Sequence, residues 1–92
     1  MSKRFENVWD AIERTPALAA NMKLRAALML ELTEHIQEQG LSQSQAARKF
    51  GVTQPRISDL TRGRIDLFAI DTLVNMLAMA GMRVKLQIGK AA

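Results

Sequence analysis

Between positions 41 and 63 the chain reads LSQSQAARKFGVTQPRISDLTRG, and this stretch leaves little choice of local structure. Ser42 is a helix cap with Gln45 three residues on, which is the reciprocal capping-box arrangement. Ala46 and Ala47 are small enough to let a second helix cross closely. Gly51 makes a sharp turn that side-chain-bearing residues resist, because glycine reaches the left-handed conformation at little cost. Val52 then fills the space between the two helices. Thr53 caps the second helix, in which Ile57 and Leu60 face inward. The pattern therefore predicts two short helices, 42–50 and 54–61, joined by a tight turn. Gln54, Arg56, Ser58, Asp59 and Arg62 are left pointing outward.

The flanks supply the rest of a helical domain. Residues 5–14 place Phe5, Val8, Trp9 and Ile12 at i, i+3, i+4 and i+7, one apolar stripe of a short helix. Trp9 reads as a packing anchor on that stripe, with base stacking as the other use of such a ring. Thr15-Pro16 is a helix start, and no Pro or Gly follows until Gly40, so a long helix is predicted over 16–39. Leu24, Leu28, Leu32 and Ile36 form an i+4 row along it. Met22, Ala26, Met29 and Leu30 form a second. One face packs on the C-terminal half and the other on the Trp9 segment or on a partner chain. A last helix is predicted over 70–80, with Asp71 favourably placed in its first turn and Gly81 beyond its end.

The tail changes period. Met82, Val84, Leu86 and Ile88 alternate with Arg83, Lys85 and Gln87, which reads as a strand over 82–88. The sequence offers no second strand. A lone strand leaves its backbone groups unpaired, and the same strand of a second chain, related by a two-fold axis, would pair them. These four apolar residues are the expected dimerisation element. A frayed tail is the alternative.

At 92 residues the chain suits a single domain, and 48% hydrophobic with 24% charged residues is a globular composition. The net charge of +4 is compatible with a polyanionic partner without requiring one. With no cysteine in the chain, disulfides and thiolate-bound metals are excluded. Charge enters the first residues too early for a secretory signal, and no run approaches a membrane span. A soluble, cytoplasmic protein with no membrane association is expected.

The outward face of the second short helix is amide- and guanidinium-bearing. Such side chains suit the major groove, where Gln pairs bidentately with adenine and Arg with guanine. Pro55 leaves two caps open, Thr53 or Gln54, because proline restricts the residue before it.

Gln43, Ala46, Ala47, Gly51, Val52, Gln54, Ile57, Ser58, Leu60 and Gly63 together resemble the helix-turn-helix pattern of the Cro/phage-repressor (XRE) regulators. The likeness extends over residues 5–88. NVWDAIERTPALAANMKLRAALMLEL and TQPRISDLTRGRIDLFAIDTLVNMLAMAGMRVKLQI are similar to the branch that includes HigA-type antitoxins. This resemblance implies a mainly α, five-helix phage-repressor-like DNA-binding domain, with the C-terminal strand paired across a dimer. It implies a repressor that binds double-stranded DNA. A cognate toxin is a further possible partner, in which case covering that toxin would be the chain's main work. Gln43 matches the position that braces the DNA backbone, and Gln54 the glutamine that reads a base. Arg56 and Asp59 match outward recognition positions, and Arg62 and Arg64 the region after the helix. Thr53 and Ser58 join them as candidate contacts, and Lys49, Arg62 and Arg64 suit phosphates. The sequence departs from the pattern at Pro55, which is often polar, and at Ala69, where a capping Ser is expected. Arg56 and Asp59, at i, i+3, are also read as a plain surface ion pair.

Enzymatic readings are poor. His35, the only histidine, sits mid-helix between Glu34 and Glu38 and reads as a surface side chain. Glu31, Glu34 and Glu38 form a solvated acidic face. No catalytic residue, metal site or cofactor is expected.

Overall fold

The computed structural model describes residues 15–90, and the expected helix over 5–14, with Trp9, lies outside them. Helix α1 is Pro16–Gln39, α2 is Gln43–Phe50, α3 is Gln54–Thr61, a single 3-10 turn spans Ile65–Leu67, and α4 is Ile70–Met79.

Local chemistry fixes these bounds. The Thr15 hydroxyl accepts from the Leu18 N–H at 3.1 Å, and proline occupies the first turn of α1. The Ser42 hydroxyl accepts from Gln45 N–H while the Gln45 side chain accepts from Ser42 N–H, so the capping box is closed. All four helices end alike. The N–H of a residue two or three past each helix bonds back to a carbonyl of its last turn: Leu41 to Ile36, Val52 to Ala47, Arg64 to Asp59 and Met82 to Leu77. A left-handed glycine precedes each of these residues, which is the Schellman ending. Leu41, Val52 and Met82 each pack a side chain against the core from that position. Arg64 alone is polar and exposed there.

Helix α1 lies mainly on α4, and α2 packs on both α3 and α4. The shared core comprises Leu28, Met29, Leu32 and Ile36 of α1, Ala46, Ala47 and Phe50 of α2, Ile57 and Leu60 of α3, Phe68, and Leu73, Met76 and Leu77 of α4. Among the described residues no polar or charged side chain is buried with them. None of these helices is long and apolar enough to cross a membrane.

Three expectations change here. Leu24 is 47% exposed and does not join Leu28, Leu32 and Ile36 in the core. An i+4 row drifts around a helix of 3.6 residues per turn, so its four members cannot all face one partner. His35 is half-buried instead of solvated, its ring tilted against Phe50 at 6.1 Å between centroids. The packing of α2 on α1 brings that aromatic over it. Finally, the described residues hold four helices and no strand. The expected strand 82–88 has no regular secondary structure in the single chain, because among the described residues there is no strand for it to pair with. Met82 is packed on the core, while Leu86 and Ile88 are 83% and 84% exposed.

Candidate nucleic-acid interface

Helix α3 is held from one side only. Ile57 and Leu60 are buried against α2, whose Ala46 is fully buried and whose Ala47 is 6% exposed. Small side chains at that crossing allow the close approach the sequence anticipates. Gly51 makes the turn at φ 71°, and a Cβ there would meet the Met79 side chain at 3.2 Å. A residue with a side chain would be strained at that φ wherever Met79 moved.

The start of α3 is open, while its other end is closed by the backbone bonds of Arg62, Gly63 and Arg64. Thr53 is the N-cap residue with extended backbone, which settles the choice between Thr53 and Gln54. Its hydroxyl makes no capping bond, unlike that of Ser42. Gln54 begins the helix, and both it and Thr53 are exposed. Pro55 occupies the first turn, where a missing N–H costs nothing. Ser58 lies one turn after Gln54 and is half-buried, as is Asp59. Arg62 and Arg64 are exposed just past the helix, with Gly63 between them at φ 72°. Arg64 faces Asp66 at 3.8 Å, both side chains about half exposed. An ion pair so exposed is worth little and leaves the guanidinium available. On α2, Gln43 is exposed at the helix start and Lys49 is half-buried near its end.

Arg56 departs from its expected outward aim. Its Nη1 donates to the Leu67 carbonyl at 2.9 Å, and its guanidinium lies over the Phe68 ring at 4.9 Å. The expected pairing with Asp59 is not formed. The buried Phe68 ring and the free carbonyl of the turn offer the cation a better-shaped partner than a neighbouring carboxylate on the same helix. Arg25 of α1 reaches the same turn from the other side. Its Nη1 donates to the carbonyls of Ile65 and Phe68 at 3.3 and 3.5 Å, and its Nε to Asn21 at 2.6 Å. Two arginines thus hold three carbonyls, those of Ile65, Leu67 and Phe68, in the turn that follows α3. Neither role was read from the sequence. The available signals were a lone Arg within the apolar rows of α1 and an isolated Phe in RIDLFA.

Among the described residues no group of three His, Cys, Asp or Glu could hold a metal ion. What the arrangement presents is a short, rigidly mounted helix with amide, hydroxyl and carboxylate groups along its outer side and cations past its end. A sequence model described as a helix-turn-helix domain matches residues 14–89. No curated protein matches the chain.

Proposed function

The chain belongs to the helix-turn-helix domain family, and from that premise we propose that it is a sequence-specific DNA-binding repressor of the XRE type, acting as a homodimer on a palindromic operator. The observation that carries this reading is the open start of α3. Thr53 and Gln54 are exposed, their side chains without hydrogen-bond partners among the described residues, on a helix anchored by the buried Ile57 and Leu60.

In this reading α3 enters the major groove by its N-terminal end. Gln54 pairs with an adenine edge, and Ser58 and Asp59 lie along the same groove. Thr53 and Gln43 face backbone oxygens, as do Lys49, Arg62 and Arg64, which supply the charge. Arg56 reaches DNA only by leaving the Leu67 carbonyl, so its first task is to brace the turn that carries Arg62 and Arg64. Two copies join through Met82, Val84, Leu86 and Ile88, whose tails pair as strands. Their α3 helices then read half-sites roughly 34–36 Å apart.

The test is selection of an operator from a random duplex pool, followed by binding of wild type and Gln54→Ala. The substitution should weaken the selected site by about 1–3 kcal/mol and relax preference at one base pair. Unchanged affinity would remove Gln54 from the reading edge.

A second reading, an antitoxin that covers a toxin, is supported by exposed Leu24 and Met79, at 47% and 62%. A double substitution of Gln54 and Arg56 that abolished DNA binding yet still protected cells would favour it.

A further inference from the structure

Leu60 and Phe68 are both buried, at 1% exposure each. Between them run residues 61–67, of which only Ile65 is even partly covered. This segment carries Arg62 and Arg64. Burial therefore does little to fix where it sits, and hydrogen bonds must do so. Its first half is tied to α3, with Arg62, Gly63 and Arg64 donating to the carbonyls of Ser58, Leu60 and Asp59. Its second half is tied to α1. Asn21 and Arg25 stand on one wall of a cleft of about 350 Å³, with Asp66, Leu67 and Ile70 across it. Arg25 spans that cleft to the carbonyls of Ile65 and Phe68, at 3.3 and 3.5 Å. Asn21, one turn earlier on α1, accepts from Arg25 Nε at 2.6 Å and fixes the aim of the guanidinium. A planar cation with several donors suits two carbonyls at once, and such charge-assisted bonds are the stronger kind.

We propose that Arg25 is a positioning residue of the DNA interface. By pinning segment 61–67 to α1, it sets where Arg62 and Arg64 meet the DNA backbone. The inference rests on the DNA-binding reading above. Arg64 directly precedes Ile65, whose carbonyl Arg25 holds, so a turn released from α1 carries Arg64 away with it. Arg25 itself touches no DNA. Base reading by Gln54 lies at the other end of α3 and is left alone.

The readout is the salt dependence of binding, because each phosphate contact contributes about 0.9 to the slope of log affinity against log salt. Full-length protein is titrated with an unselected duplex at several salt concentrations, at a temperature where circular dichroism shows each variant folded. Arg25→Met should make the slope shallower by about 1–2 and leave base preference at a selected operator intact. In a chain already carrying Arg62→Ala and Arg64→Ala it should change nothing further, since nothing remains to be positioned. Lys23→Met removes the same charge from an exposed site on α1 and should leave the slope unchanged. Asn21→Ala removes no charge and should move the slope in the same direction as Arg25→Met, by less. If Arg25→Met does not fold, Asn21→Ala decides alone.

Wild type that binds while the Arg25 and Asn21 variants keep its slope overturns this inference and spares the DNA reading. An Arg25→Met effect that persists without Arg62 and Arg64 also overturns it, since Arg25 would then act on DNA by its own charge. Wild type that binds no duplex overturns the DNA reading, and this inference with it.

Discussion

Ser42 and Thr53 stand at equivalent places, each one residue ahead of a helix of eight residues, and they behave differently. Ser42 closes its helix, giving and receiving capping bonds with Gln45. Thr53 makes no such bond, and Arg56, which has no acceptor to offer the cap, stands where Gln45 stands in α2. The other ends differ too. After α2 the chain turns inward on Val52, which packs on the core, and after α3 it turns outward on the exposed Arg64. Both helices share the same glycine ending and the same buried seam. The difference is therefore not one of folding quality. Helix α2 is satisfied within the protein and serves as the mount. Helix α3 is held along its seam and by Arg56, and the side chains of Thr53 and Gln54 at its start are left open to a partner.

The contrast breaks most severely if the seam fails. Ile57 has no exposed surface and packs where α3 meets the core. Ile57→Ala should cost about 2–5 kcal/mol of stability, because it removes buried methyl groups and leaves a cavity. Thermal denaturation measures this directly. DNA binding should fall with the folded fraction and recover on cooling. A loss below about 1 kcal/mol would mean that α3 is not held by this seam.

Arg56 tests the tie between the first turn of α3 and the segment that follows the helix. Its bond to the Leu67 carbonyl and its position over Phe68 tie helix and turn together. Arg56→Ala should lower stability by about 1–2 kcal/mol, discounted for its partial exposure. Arg56→Lys should recover little, since an ammonium cannot both fork to the carbonyl and lie flat on the ring. If Arg56→Ala instead leaves the melting temperature untouched and alters preference at one base pair, Arg56 is a base reader and not a brace.

These two residues also mark the limit of what the sequence disclosed. The helix starts at Thr15 and Ser42, and the glycine stops, were legible because each depends on groups within a few residues, whereas the start of α3 stayed open between Thr53 and Gln54 because Pro55 restricts the residue before it. The inward role of Ile57 and Leu60 followed from spacing for the same reason. Arg56 was not legible, because its partners Leu67 and Phe68 come beside it only when the turn folds back and Arg25 holds it. His35 reads as part of an acidic surface until α2 sets Phe50 against it. Leu24 belongs to the row of Leu28 in one dimension and leaves it in three. The alternation of Val84, Leu86 and Ile88 is plain in the sequence, but pairing requires backbone that the described chain does not provide.

Ser42→Ala sharpens the comparison from the satisfied side. It removes the hydroxyl that accepts from Gln45 N–H, while the backbone N–H at 42 keeps the Gln45 side chain as its acceptor. The expected cost is about 1 kcal/mol of stability, read as a lowered melting temperature. At temperatures where the variant is fully folded, affinity for a selected operator should match wild type. A fall in affinity at full folding would mean that α2's start also touches DNA through Ser42.

Thr53→Ala should give the smallest effect on stability and is the most discriminating for that reason. A threonine at an N-cap normally contributes about 0.5–2 kcal/mol through its hydroxyl bond. Here that bond is absent, so the substitution should change stability by less than about 0.5 kcal/mol, as for a surface residue with no special contact. If Thr53 is held in reserve for a phosphate oxygen, the same substitution should still weaken operator binding, and weaken all sequences alike. The Ser42 and Thr53 variants would then show opposite patterns, stability without affinity and affinity without stability. A full cap-sized loss of stability from Thr53→Ala would show that both helices close on themselves in solution, and the open start of α3 would no longer distinguish it from its mount.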